Sequence, residues 1–257
     1  MKSALELFAA GLAASTFGSM VGLGGGFLLV PILRLFFGLA PAEAAGTSLA
    51  LVVANSASGA FTYLLQKRVH VKVGLIIALG GLPGSILGAL LVTHLSAPAF
   101  DSILAVFLIA VAADVVFNRR KTVAKRADAG DITGIKGMSY RAALAMGFFV
   151  GLVSSLFGIG GGVIVVPGLL YFSELPAHAI SATSHFAIVL TSPIGLVAHI
   201  FQHDIRLADA VPLVLGGLCG GPIGARLSLR LRSSQLLILV AVALVVAAIL
   251  LVGRHLF

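Results

Sequence analysis

Two five-residue runs stand out in an apolar chain: Gly22-Leu23-Gly24-Gly25-Gly26 and Gly158-Ile159-Gly160-Gly161-Gly162. Each is followed five residues later by a proline, Pro31 or Pro167. A helical glycine costs about 1 kcal/mol relative to alanine, so four close together should unwind a helix. The helical piece that resumes beyond the gap offers free N–H groups at its positive dipole end, where anions are favoured. With no side chains on Gly24, Gly25, Gly26, Gly160, Gly161 and Gly162, a ligand can approach that backbone closely. The chemistry on offer is capture of a small anion by backbone donors. The purely structural alternative is tight helix packing, but packing asks for spaced small residues rather than consecutive ones. Gly80, Gly84 and Gly88 fit the packing pattern instead.

The second set of polar residues is Thr47, Ser48, Asn55 and Ser56, matched by Thr183, Ser184, Thr191 and Ser192. Thr47 and Asn55 are eight residues apart, about 12 Å along a helix and nearly at one azimuth. Thr183 and Thr191 repeat the spacing, so each helix carries a polar stripe. Neutral donors suit an anion that must bind and leave again. Hydroxyls also bond back to their own helix or hold neighbours together, which is the competing explanation for any one of them. His185 has no polar equivalent in the first half, where Leu49 stands. An ionisable group inside an apolar run is a candidate for ligand contact or proton coupling. A neutral histidine bridging two helices is the bland alternative. His199 and His203 share a helical face, but without a carboxylate set they make a weak metal site. Arg34 and Arg226 could guide anions, although both are expected to snorkel to the outer surface.

The elements that carry these residues follow from composition and periodicity. Of 257 residues, 59% are hydrophobic and 10% charged, with a mean hydropathy of +1.13. A soluble domain keeps about a quarter of its residues charged. Apolar runs of span length recur without strand-like alternation, which indicates helices crossing a bilayer. The fold class expected is all-α, a polytopic membrane protein.

Sliding the sequence by 136 residues superposes Gly11 on Gly147, both glycine runs, Pro31 on Pro167, Thr47-Ser48 on Thr183-Ser184, and Gly80 to Gly88 on Gly216 to Gly224. Such a duplication is a common plan for transporters. It predicts a four-span repeat over 1–117, a cytoplasmic linker over 118–139 and a second four-span repeat over 140–257. The first span of each, 4–37 and 140–172, is too long for one crossing and is expected to be broken at its glycine run. An even number of spans per unit predicts two parallel repeats related by an axis along the membrane normal.

Counting Lys and Arg on that plan places 13 on the side of the linker and both termini and 4 opposite, so both termini are expected in the cytoplasm. The net charge of +8 is explained by this loop bias, not by nucleic-acid binding. The N-terminal apolar stretch, interrupted by Glu6 and matched later in the chain, is expected to be a retained helix rather than a cleaved signal. The single cysteine, Cys219, excludes an internal disulfide and a cysteine metal cluster. No cofactor or metal is called for.

The paired signatures Gly22 to Pro31 and Gly158 to Pro167, joined to Thr47-Ser48 and Thr183-Ser184, resemble the TauE/SafE family, also known as the sulfite exporter or toluene sulfonate uptake permease family. The resemblance covers residues 4 to about 252. It implies carriage of a small sulfur-containing anion, such as sulfite, thiosulfate, sulfoacetate or an organic sulfonate. The expectation is therefore a secondary transporter in the bacterial inner membrane, working by alternating access, with a possible coupling ion and an open oligomeric state. A passive anion channel is the nearest alternative. An intramembrane enzyme built on Ser184 or Ser192 lacks a strained nucleophile motif and a suitably placed base.

Overall fold

A computed structural model describes residues 3–126, 139–173, 175–230 and 233–253. They form α1 (Ala4–Val21), α2 (Gly26–Leu35), α3 (Pro41–Leu65), α4 (Val71–Val92), α5 (Ala97–Arg126), α6 (Tyr140–Phe157), α7 (Gly162–Phe172), α8 (Ala177–Phe201), α9 (Leu207–Leu227) and α10 (Ser233–Gly253). No strand occurs among the described residues. Seven helices are long and apolar enough to cross a membrane, and α10 is a 21-residue stretch without a charged residue. The protein is an all-helical, multi-pass membrane protein. Helix α5 runs on to Arg126, so the start of the 118–139 segment is helical. The remainder, 127–138, lies outside the described residues.

The order α1–α5 recurs in α6–α10, and so does the packing. Helix α1 lies on α9 as α6 lies on α4, and α3 meets α9 as α8 meets α4. Helices α3 and α8 pack on each other, as do α5 and α10. Glycines make these contacts close: Gly80, Gly84 and Gly88 abut the backbone of Leu144, Phe148 and Leu152. Gly216, Gly220 and Gly224 abut α1 at Phe8, Leu12 and Thr16. Small residues serve this purpose in lipid, where apolar burial alone does not drive helices together.

Both helix breaks occur where the glycine runs place them, but the chain does not continue across the membrane beyond them. Gly22 and Gly158 close α1 and α6 in left-handed backbone, φ 87° and 68°. Gly25 and Gly161 open α2 and α7, again left-handed at φ 81° and 64°. Two such reversals turn the chain back. Gly25 comes to lie against the Ala14 carbonyl and Ser15, and Gly161 against Val150 and Ser154. Each pair is therefore a hairpin folded back at its glycine run, and its longer arm, α1 or α6, is itself long and apolar enough to span. Non-helical backbone is tolerated at depth because protein surrounds it.

The hairpins change the symmetry. Along α3 and α8 the close pairs are Gly46 with His199, Leu49 with Gly195, and Gly59 with His185. One number rises as the other falls, so these equivalent helices run antiparallel. The two sets of helices are inverted, not parallel, because a re-entrant first element leaves each unit with an odd number of crossings. Two contacts put the ends in place. Arg34, near the end of α2, meets Asp101 at the start of α5. Tyr171, near the end of α7, meets Asp114 further along α5. Lys72 sits 5.7 Å from the Tyr140 ring, which puts the starts of α4 and α6 on one face. Helix α1 starts on the other. The described residues nearest the linker, at the start of α6, and those nearest the N-terminus, at the start of α1, thus lie on opposite faces, against the expectation of one shared face.

Candidate functional site

The two glycine runs meet at mid-depth. A Cβ on Gly24 would lie 3.7 Å from the Gly160 carbonyl oxygen and 3.7 Å from Val52, near the centre of the 25-residue helix α3. Gly26 abuts the Gly158 carbonyl, and Gly162 the Gly22 carbonyl. Val21 to Phe27 and Phe157 to Val163 are all buried.

Side chains of α3 and α8 bind the carbonyls left bare where α1 and α6 end. Ser184 Oγ donates to the Gly22 carbonyl at 2.8 Å, and its equivalent Ser48 Oγ donates to the Gly158 carbonyl at 2.8 Å. Asn55 Nδ2 donates to the Gly24 carbonyl at 3.0 Å. Each such bond contributes about 1 kcal/mol net and removes a larger penalty for a bare buried acceptor. The donors fare differently. Among the hydrogen bonds of the described residues, none takes the amides of Gly25, Gly26 and Phe27, or those of Gly161 and Val163. The Gly22, Gly24 and Gly158 carbonyls are thus satisfied, and several buried donors beside them are spare.

Two buried hydroxyls at equivalent positions, Ser56 and Ser192, also have no hydrogen-bond partner. Ser56 lies one helical turn beyond Val52, which borders Gly24 and Gly160; Ser192 lies one turn beyond Ile188, which borders Gly24. Residues four apart share a helix face. Both serines are thus on the faces turned towards the breaks.

The rest of the polar stripe is spoken for. Thr47 accepts the Arg206 amide at 3.2 Å and Thr183 accepts the His70 amide at 2.9 Å, so both pin the turns before α9 and α4. Thr191 donates to the Ala187 carbonyl of its own helix at 3.1 Å. His185 Nε2 is 2.9 Å from Ser19 Oγ, which lies 2.7 Å from Asn55 Oδ1.

Sequence reasoning missed Ser19, the hub of that network, although Ser15 and Ser19 are one turn apart on α1 and both buried. It also missed the pairing of Tyr63 with His199. Tyr63 Oη donates to the Ser19 carbonyl at 2.6 Å, and His199 Nε2 meets the Ser155 carbonyl at 2.9 Å. His199 is further held by Asp204 at 3.0 Å, and no metal-binding group forms among the described residues. Arg34 does not snorkel. It is 2% exposed and grips Asp101 with two bonds, 2.8 Å from Nε and 2.6 Å from Nη2, while Nη1 reaches the Leu39 carbonyl at 2.6 Å. Arg226 is exposed as expected and borders, with Arg230, a surface cavity of about 470 Å³ that is separate from the breaks.

Inverted helix sets with re-entrant hairpins meeting at the centre define a class of membrane transporter. The chain belongs to the sulfite exporter TauE/SafE family, whose family model matches residues 7–251. It is 30% identical to the probable membrane transporter protein YunE of Bacillus subtilis, over 96% of each chain. A probable membrane transporter protein of Methanocaldococcus jannaschii is 28% identical, covering 90% of this chain and 91% of its own. Another from Xylella fastidiosa is 27% identical, over 90% and 87% respectively. No solved structure matches.

Proposed function

We propose that this transporter carries a small sulfur-containing oxyanion or sulfonate, held between the two glycine breaks. The observation that supports the reading is a set of buried donors at the breaks: the carbonyls of Gly22, Gly24 and Gly158 are bonded by side chains, while among the described residues the amides of Gly25, Gly26, Phe27, Gly161 and Val163 and the hydroxyls of Ser56 and Ser192 have no partner. Unpaired donors in a buried site fit a guest that only accepts hydrogen bonds. A tetrahedral or pyramidal oxyanion has several acceptor oxygens and no need of a cation to be held. The family's name supplies the sulfur chemistry.

Within this reading residues 1–117 and 140–257 are two units that rock about the shared centre, exposing the breaks to one face and then the other. The closed arrangement described above is the occluded step. Ser48, Ser184 and Asn55 shape the breaks, and Thr47, Thr183 and Thr191 serve the framework. The linker face also carries Lys67, Arg68, Lys72, Arg141, Arg226 and Arg230. With the linker cations included it is the more basic side, so it faces the cytoplasm and both termini face outward. A bacterial inner membrane suits this bias.

The test is uptake by the purified protein in proteoliposomes, scored for sulfite, sulfate, thiosulfate, taurine and an aromatic sulfonate. The reading requires saturable uptake of at least one sulfur anion that the others compete for. Flux that never saturates and cannot be driven uphill would make the protein a channel. No flux of any of them would refute the assignment.

A further inference from the structure

We infer that His185 is the seat of a coupling proton, bound in step with the anion, in only one of the two otherwise equivalent halves. The inference rests on the anion reading above and adds to it the ion that drives transport. It starts from the hydrogens available to the network. Asn55 Nδ2 donates to the Gly24 carbonyl at 3.0 Å, which fixes the amide and leaves Oδ1 as an acceptor towards Ser19. Ser19 has one hydroxyl hydrogen, and it goes to Oδ1 at 2.7 Å. The neutral imidazole must then carry its hydrogen on Nε2 and donate to Ser19 Oγ at 2.9 Å. Nδ1 is left bare, buried and without a hydrogen bond. Nδ1 is thus the ring atom that can take up a further proton.

The same chain tells the anion site whether that proton is present. The Gly24 carbonyl belongs to the peptide unit whose N–H is Gly25, one of the spare donors. An imidazolium strengthens donation into Ser19, then into Asn55, then into the Gly24 carbonyl, and leaves the Gly25 N–H a stronger donor. A buried imidazolium alone and a buried anion alone are each costly, whereas the two together are nearly neutral. Each therefore favours the other. The other charged or titratable groups near the ring are the Tyr63 hydroxyl, its ring 5.6 Å from the imidazole, and Arg68, 5.2 Å from the far side of Tyr63. No carboxylate among the described residues pairs with His185. The anion is thus the counter-charge.

The second half lacks the device. At the 136-residue offset His185, Asn55 and Ser19 correspond to Leu49, Thr191 and Ser155. Leu49 also shows that leucine packs in this setting.

The experiment uses the full chain in proteoliposomes with ³⁵S-sulfite under anaerobic conditions. Two readouts are taken: exchange of internal for external sulfite at equal pH, and accumulation driven by an imposed proton gradient. Wild-type protein should show both. His185→Leu and Ser19→Ala, checked for folding by gel filtration, should still exchange at saturating sulfite, with weaker apparent affinity that no longer varies with pH, and lose at least tenfold of the driven accumulation. Gradient-driven accumulation that persists in His185→Leu overturns the proposal. So does loss of exchange and accumulation together in both folded variants, which would make His185 part of the framework. Absence of exchange in the wild-type protein for every anion is a different result, because it refutes the transport reading itself.

Discussion

Replacing Ser56 and Ser192 by alanine separates a binding role from a structural one by sign. Both hydroxyls are fully buried and lack a partner. An unmet buried hydroxyl costs about 1–3 kcal/mol, which Ser→Ala gives back in the empty protein. The double variant should therefore hold its thermal midpoint or raise it. In the loaded protein each serine donates one hydrogen bond to a charged acceptor, and such bonds contribute roughly 1.5–3 kcal/mol. At 1.4 kcal/mol per tenfold, each single replacement should weaken apparent anion affinity by about one to two orders of magnitude. The assay pairs thermal unfolding in detergent, with and without sulfite, with the concentration dependence of uptake. A stable double variant with unchanged affinity would refute the placement of Ser56 and Ser192 at the anion. A variant that is strongly destabilised without ligand would show that the hydroxyls hold the fold.

Two further outcomes follow from the packing. Asp101→Ala strands the buried Arg34 guanidinium and should destabilise the protein by about 3–5 kcal/mol; Arg34→Leu with Asp101→Leu, the residues found at positions 170 and 237 of the other half, should recover most of it in a denaturation assay. Single cysteines placed in the 127–138 segment and at the N-terminus of a Cys219→Ala background should react with an impermeant thiol reagent from opposite sides of intact cells. Labelling from one side would contradict the hairpin arrangement.

The glycine runs were legible because consecutive glycines in apolar sequence have few other physical meanings. What the chain does after the break was not. A ten-residue helix such as α2 is about 15 Å long and can complete a crossing or fold back with equal ease. The choice is made by left-handed Gly22 and Gly25 together with contacts to Ala14 and Ser15, and no residue type alone encodes it. The parity of the crossings, and with it the inverted symmetry and the side of the termini, went astray from that one step. Ser48 and Ser184 were found from their place in the repeat, since the duplication preserves them. Thr47 and Thr183 were found by the same signal yet serve the turns before α9 and α4. Spacing reports which residues are equivalent but not which atoms they meet. Arg34 and Asp101 are 67 residues apart and sit in one half only, so neither periodicity nor repetition marks them.

The central claim is that an anion sits on the free amides where the two hairpins touch. Selenite, a heavier relative of sulfite, allows it to be located by anomalous diffraction from crystals of the loaded protein. The account predicts one anomalous peak at mid-membrane, within hydrogen-bond distance of Gly25 or Gly161 nitrogen and close to Ser56 or Ser192. A peak confined to the arginines at the membrane surface, with the hairpins still pressed together and empty, would contradict it.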